Sequence, residues 1–315
     1  MTRCFNCMKE YDEKYDMCPF CGYMNDSQPE KSYQLLPGTM LKNRYTIGIV
    51  IGFVGSCIFY RAWDNKLNAI VTIKECYPSG LVNRSPGQTK VTLVGDQAMK
   101  NKFRTHINRF LDEAQTMARL KSCEYIVYTI DYFENNNTAY QVIEYISASN
   151  LKTYLNVLTV EQSVRIILNI CSALKLMHKQ KIIHGHINLY NIVICDDNRI
   201  KLIIDYHQII KLPCKSSLSV ILTEGYSAPE QYETNGHIGA WTDVYAVCAT
   251  LYRMITGITP IDPVDRRRED KLISPISVNP NVSDQLNRIV LDGMELNYRK
   301  RTSNMDTLIK QLMSL

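Results

Sequence analysis

Near residue 150 the hydrophobic pattern of this 315-residue chain changes period. Before that point, β-branched and aromatic runs dominate. Residues 45–63, YTIGIVIGFVGSCIFYRAW, hold glycines between two apolar runs and predict a hairpin. Residues 69–74, AIVTIK, predict the next strand, and YIVYTIDYFE and TAYQVIEYI predict two more. Between them, residues 100–120 repeat apolar positions at helical spacing, with Phe110, Leu111, Ala114, Met117, Ala118 and Leu120 on or near one stripe. Beyond residue 150, LKTYLNVL and VEQSVRIILNICSALKLMHKQ predict helices. The short runs IVIC and IKLII predict strands, and helix signals dominate from residue 228 onward. A small β-rich half with one main helix therefore precedes a larger helical half. Length alone suggests about two domains.

Four of the eleven cysteines crowd into residues 4–22, CFNCMKEYDEKYDMCPFCG. Cys4 and Cys7 form one C-x-x-C pair, and Cys18 and Cys21 form another. Each such turn puts two thiolates on one side of a tight loop, and two turns close a tetrahedron around Zn²⁺. Pro19 and Gly22 supply turn chemistry. The segment is too short for a hydrophobic core, so the metal would contribute its folding free energy. Four thiolates leave no open position, which makes the site structural. A redox dithiol is the competing reading, but the βαβ context of a thioredoxin-like motif is absent. The other seven cysteines stand singly and read as small buried hydrophobes.

Bulk charge excludes little. The net value of +5 is too weak to argue nucleic-acid binding. Within residues 1–30, Arg3, Lys9 and Lys14 face Glu10, Asp12, Glu13, Asp16, Asp26 and Glu30, a balance of −3 that would repel a phosphate backbone. No nucleic-acid partner is expected, and a protein contact or spacer role suits the module. No apolar run reaches 18 residues and no apolar signal region opens the chain, so neither a membrane span nor export is expected, and the cytoplasm is the expected compartment. Polar residues with Pro29, Pro37 and Gly38 mark 25–38 as a linker after a ribbon at 1–24.

Seven further stretches stand in a telling order: VTIK at 71–74, FLDEA at 110–114, QVIEYI at 141–146, HGHINLYN at 184–191, DYH at 205–207, SAPE at 227–230 and WTDVYA at 241–246. Over roughly residues 38–315 the chain resembles the protein kinase fold, and more closely the bacterial serine/threonine kinases related to the eukaryotic family. The resemblance implies a two-lobed α+β architecture, with a β-rich lobe at 39–146 and a helical lobe at 147–315. It assigns Lys74 to the α/β-phosphates and Glu113 to the carboxylate that steadies it. Ile143 would be the gatekeeper, and backbone groups of Glu144 and Ile146 would face the adenine. Asn191 and Asp205 would hold Mg²⁺. Asp243 would anchor the catalytic-loop backbone, Arg301 would pair with Glu230, and TEGYSAPEQY would dock a peptide. The implied cofactor is ATP with Mg²⁺ or Mn²⁺, beside the structural Zn²⁺. The implied partner is a protein substrate or an active kinase.

Several positions depart from the family pattern. Where the catalytic loop has H-R-D-L-x-x-x-N, this chain has His184, Gly185, His186 and Asn191. His186 replaces the aspartate that accepts the substrate proton, and losing a general base typically costs ~10²–10⁴-fold in rate. Asn188 stands where Lys or Ser is usual. In the glycine-rich loop the family positions fall on Gly52, Val54 and Cys57, with Gly55 between. Two Cβ atoms thus remove backbone clearance for phosphates. His207 replaces a flexible glycine after Asp205 and Tyr206. Gly185 replaces the arginine that would receive an activation-loop phosphate, so Ser216, Ser217, Ser219 and Thr223 read as solvated hydroxyls. The mixed-sign run 265–270, DRRRED, reads as a solvated surface.

The leading expectation is a pseudokinase: a nucleotide-binding scaffold or regulator with a zinc ribbon. The alternative is an active serine/threonine kinase with an atypical catalytic loop, since positioning and metal charge supply much of phosphoryl transfer. Another nucleotidyl transfer, or a ribbon-driven interaction protein that binds no nucleotide, also remains open.

Overall fold

The structure is a computed structural model that describes residues 1–204, 210–212 and 222–315. Asp205, Tyr206, His207, Cys214, Ser216, Ser217 and Ser219 lie outside the described residues. Two compact units are present: residues 1–121 with 128–146, and residues 122–127 with 147–315.

The first unit opens with a two-stranded ribbon, β1 (Thr2–Arg3) and β2 (Glu10–Tyr11). Its main sheet comprises β3 (Met40–Leu41), β4 (Tyr45–Val54), β5 (Cys57–Asp64) and β6 (Ala69–Cys76). After a small hairpin of β7 (Val82–Asn83) and β8 (Thr92–Leu93) come helix α1 (Gln97–Ala118) and strands β9 (Thr129–Asn135) and β10 (Thr138–Glu144). The sheet order is β3-β4-β5-β6-β10-β9, antiparallel throughout. Helix α1 starts where the Asp96 side chain accepts from the Met99 amide at 3.0 Å. It buries Phe103, Ile107, Phe110, Ala114 and Met117 at i+3/i+4 spacing, a face that begins two turns earlier than the sequence stripe suggested.

Register sorts the sheet into two faces. Lys74 lies opposite Phe59 and Gln141, and Thr72 lies opposite Arg61 and Ile143, so these side chains share one face. Val71, Ile73, Tyr60, Ala62, Tyr140 and Val142 form the core on the other. On that core side, Glu75 is fully buried. It accepts from Tyr60 at 2.9 Å, from Tyr140 at 2.7 Å, and from Arg84, also fully buried, at 3.2 Å through Nη1 and again through Nη2. Arg84 comes from the segment between β6 and α1, and it further donates to Tyr33 O at 2.8 Å and Thr89 O at 3.0 Å. The stretch read as a linker thus joins this layer: Gln34 and Leu35 are buried, and Tyr33 stacks on Tyr77 with centroids 5.1 Å apart. Its few apolar side chains find a core that local composition does not reveal.

The ribbon is seated on β4 and β5. Ile49 N donates to Phe5 O at 3.0 Å, and Arg3 stacks 3.7 Å over Trp63. A Cβ on Gly48 would overlap Met8 Cε and the carbonyl of Phe5, so only glycine allows this approach.

The second unit carries a three-stranded sheet of β11 (Ala148–Asn150), β13 (Ile192–Cys195) and β14 (Ile200–Leu202), and a short pair, β12 (Ile182–Ile183) with β15 (Ile210–Lys211). Around them lie α2 (Val160–Lys179), α3 (Ala240–Thr256), α4 (Pro263–Arg268), α5 (Pro275–Val278), α6 (Asp284–Gly293) and α7 (Met305–Met313). The expected helix at 151–158 is only a 3₁₀ turn, Leu151–Tyr154, because Thr159 opens α2 with a capping box to Gln162. Helix α3 is buried almost all round and ends at Gly257, whose φ of 72° suits glycine. Among the described residues, no helix is long and apolar enough to cross a membrane.

Candidate functional site

The four N-terminal cysteines converge. All four Sγ atoms lie within 4.8 Å of one another, with Cys4 to Cys21 at 3.5 Å and Cys7 to Cys18 at 3.6 Å. A tetrahedron of thiolates about 2.3 Å from zinc has edges of about 3.8 Å, so the donor set fits the ion. Each knuckle is closed by backbone bonds: Met8 N to Cys4 O at 2.9 Å, and Gly22 N to Cys18 O at 2.8 Å. Met8 and Gly22 both take positive φ, at 60° and 70°. Asn25 ties the first knuckle down, accepting from Phe5 N at 3.0 Å and donating to Arg3 O at 2.8 Å. Composition called residue 25 linker; its side chain is a ribbon staple.

In the first unit, the expected nucleotide residues lie on the Lys74 face, on α1 or at the end of β10. Lys74 is buried, its ammonium 5.3 Å from the Phe110 ring and 6.0 Å from the Phe59 ring. Glu113 is buried on α1 and accepts from Arg109 Nε at 2.9 Å. Glu144 accepts from the Tyr128 amide at 3.2 Å through Oε1 and donates its own amide to Tyr128 O at 3.2 Å. Gly52 has open space where a Cβ would stand, and Gly55 takes φ of 59°. A cavity of about 440 Å³ lies between residues 23–37 and the edge of β4. Of the expected nucleotide contacts it meets Gly52 alone, so it is distinct from the Lys74 face.

In the second unit, the loop after β12 holds His186 firmly. Asn191 Nδ2 donates to His186 O at 2.7 Å and lies 2.9 Å from His186 Nδ1. His186 Nε2 lies 2.7 Å from Thr223 Oγ1 and 3.3 Å from Asn188 Nδ2. Asn188 is itself oriented, its Oδ1 accepting from Tyr190 N at 2.8 Å. Both ring nitrogens are therefore engaged, so an incoming hydroxyl would have to displace an existing neighbour. Thr223, read above as solvated, is half-buried and bonded, because residues 223–231 fold back on this loop. Asn191 Oδ1 has no hydrogen-bond partner among the described residues, which suits a metal ligand.

The loop backbone hangs on Asp243. This wholly buried carboxylate accepts from His184 N at 2.9 Å, from Gly185 N at 2.8 Å, and contacts His178 Nε2 at 2.7 Å. Burial alone would raise its pKa; the bond from His178, the nearby imidazole charge and the Gly185 amide outweigh that and hold it below the usual carboxylate range. Gly185 takes φ of 72°, a conformation that side chains resist, and its carbonyl accepts from Gln231 Nε2 at 2.8 Å. Arg301 clasps Glu230 with both arms, at 2.8 and 3.1 Å, in a buried pair. Sequence reading found Asp243, Glu230 and Arg301; it missed the roles of Gly48, Thr223 and Gln231, which depend on distant partners.

The protein kinase domain family matches residues 88–313. Similar curated proteins include a probable serine/threonine-protein kinase of Clostridium acetobutylicum, 27% identical over 87% of this chain and 40% of its own length. Another is the serine/threonine-protein kinase PknB of Mycobacterium leprae, 28% identical over 83% of this chain and 41% of its own. This chain thus spans about two-fifths of the length of the curated relatives it matches. A solved structure of PpkA-294 in its apo form is similar at a TM-score of 0.71 and 27% identity, covering 89% of this chain and 100% of that one. With the six-stranded sheet, the helical second unit, the loop slung on Asp243 and the Glu230–Arg301 clasp, these matches assign the chain to the protein kinase domain family.

Proposed function

We propose that this protein is a catalytically impaired member of the family that binds ATP with Mg²⁺ or Mn²⁺ and acts on a protein partner as a scaffold or regulator, not by phosphorylating it efficiently. One observation carries the reading. His186 stands at the position of the proton-accepting aspartate, and its two nitrogens are occupied by Asn191, Asn188 and Thr223. An imidazole, neutral or protonated, brings no negative charge to orient an acceptor hydroxyl. Lys74, Glu113, Asn191 and Asp205 remain for nucleotide and metal, with backbone groups of Glu144 and Ile146 toward the adenine and Gly52 and Gly55 over the phosphates. Bound Mg²⁺ would neutralise phosphate charge. Zn²⁺ on Cys4, Cys7, Cys18 and Cys21 would cross-link the ribbon and stabilise its fold.

The test combines a thermal-shift titration and a transfer assay. ATP with Mg²⁺ is expected to raise the melting temperature of the wild type, and Lys74→Met and Asp205→Ala should both abolish that shift. Phosphate transfer to itself or to a generic protein should stay at least ~10²-fold below that of an aspartate-bearing relative. Robust transfer that Asp205→Ala abolishes would instead establish an active kinase with an atypical loop. No shift at millimolar ATP would remove nucleotide from the account.

A further inference from the structure

Arg61 stands on β5 between two groups that serve different ends. Its Nη1 donates to Asn6 O at 2.6 Å and to Asn6 Oδ1 at 2.9 Å. Its Nη2 donates to Tyr145 Oη at 3.0 Å, with the guanidinium carbon 5.1 Å from that ring's centroid. Asn6 lies between the thiol ligands Cys4 and Cys7, while Tyr145 lies between Glu144 and Ile146. Register puts Arg61 opposite Thr72, on the face that carries Lys74. The remaining nitrogen, Nε, is buried without a partner among the described residues. Its desolvation is uncompensated, so the two bridges must outweigh it. The knuckle cannot drift freely from this position, because Phe5 O holds Ile49 N and Met8 fills the space above Gly48.

We propose that Arg61 is a positioning residue that joins the metal knuckle to the hinge, so that zinc and ATP bind this protein with positive cooperativity. The inference rests on the zinc and nucleotide assignments above. Zinc fixes the C-x-x-C turn, and with it the carbonyl and amide oxygens of Asn6. Those oxygens fix Arg61, and Arg61 fixes Tyr145. A hinge already ordered loses less conformational freedom when adenine arrives. By linkage, ATP must then tighten zinc binding by the same factor.

The experiment uses the full chain, zinc-loaded and chelator-stripped. Calorimetry measures ATP–Mg²⁺ affinity in each form, and competition with a chromogenic chelator measures zinc affinity with and without ATP–Mg²⁺. Each ligand is expected to tighten the other by about five-fold or more. Amide hydrogen exchange of residues 140–147, which needs no nucleotide, should accelerate on stripping. In Arg61→Met both ligands should still bind, with the mutual factor reduced to one, and Arg61→Lys should restore part of it. Equal ATP affinity with and without zinc, together with unchanged hinge exchange, overturns the proposal. Metal analysis showing no zinc, or calorimetry showing no ATP, refutes the underlying assignment instead. In that event hinge exchange in Asn6→Ala and Arg61→Met decides the coupling: acceleration in both sustains it, and no change in either overturns it.

Discussion

At position 186 an imidazole is hemmed in by two side-chain amides and a hydroxyl, and this arrangement sets what the loop can do. A carboxylate there would be shorter, charged and free to orient an acceptor. His186→Asp is therefore expected to raise Mg²⁺-dependent phosphate transfer at least ~10-fold over the wild type, read by transfer of labelled phosphate. Asp243 gives a pH prediction. Its carboxyl holds a proton less tightly folded than unfolded, so its contribution to stability is complete above the ordinary carboxylate pKa of about 4. The contribution is lost as pH falls through the depressed native value. Denaturant midpoints taken from pH 6 to pH 2 should fall more steeply in the wild type than in Asp243→Asn, and that variant should be about 3–5 kcal/mol less stable at pH 7. Residue 186 was legible in the sequence as a departure. Its partner Thr223 was not, because 37 residues separate the two and nothing local predicts their contact.

Strands and helices with strong periodicity were legible: β4, β5, β6, α1 and α2 all fall where alternation or 3.6-residue spacing put them. The segment at 77–96 and the stretch at 31–38 were not, because their few apolar residues pack against strands distant in the sequence. Arg84 shows why. In the sequence it is one arginine in a polar loop, yet folded it is fully buried against Glu75. Arg84→Met would leave that carboxylate buried and unpaired, an expected loss of about 3–5 kcal/mol. Combined with Glu75→Gln it should cost clearly less than the sum of the two single changes, as a double-mutant cycle by chemical denaturation would show.

On the scale of the whole molecule, each unit has its own core, and the ribbon belongs to the first. Chelation should therefore act within the first unit. Removing the metal is expected to abolish exchange protection in residues 2–11 and weaken it at residues 47–49, while α2 and α3 keep theirs; hydrogen exchange with mass spectrometry reads both. Gly48→Ala should loosen the same seat with the metal still bound, at about 1–3 kcal/mol, and expose residues 23–38 to proteases. The convergence of the ribbon's four thiols was legible from their spacing alone. Its seat was not, since a glycine shows its purpose only when the chain that crosses it is known.

Neighbours Lys74 and Glu75 carry opposite charges to opposite sides of one strand. Sliding β6 by a single residue would drive an ammonium into a pocket of tyrosines already occupied by a guanidinium, and turn the carboxylate toward the phenyl rings that now flank the lysine. Mispaired versions of this sheet are thus penalised twice by like charge meeting like and by an acid stranded among rings. The sequence that places the lysine also proofreads the strand that holds it.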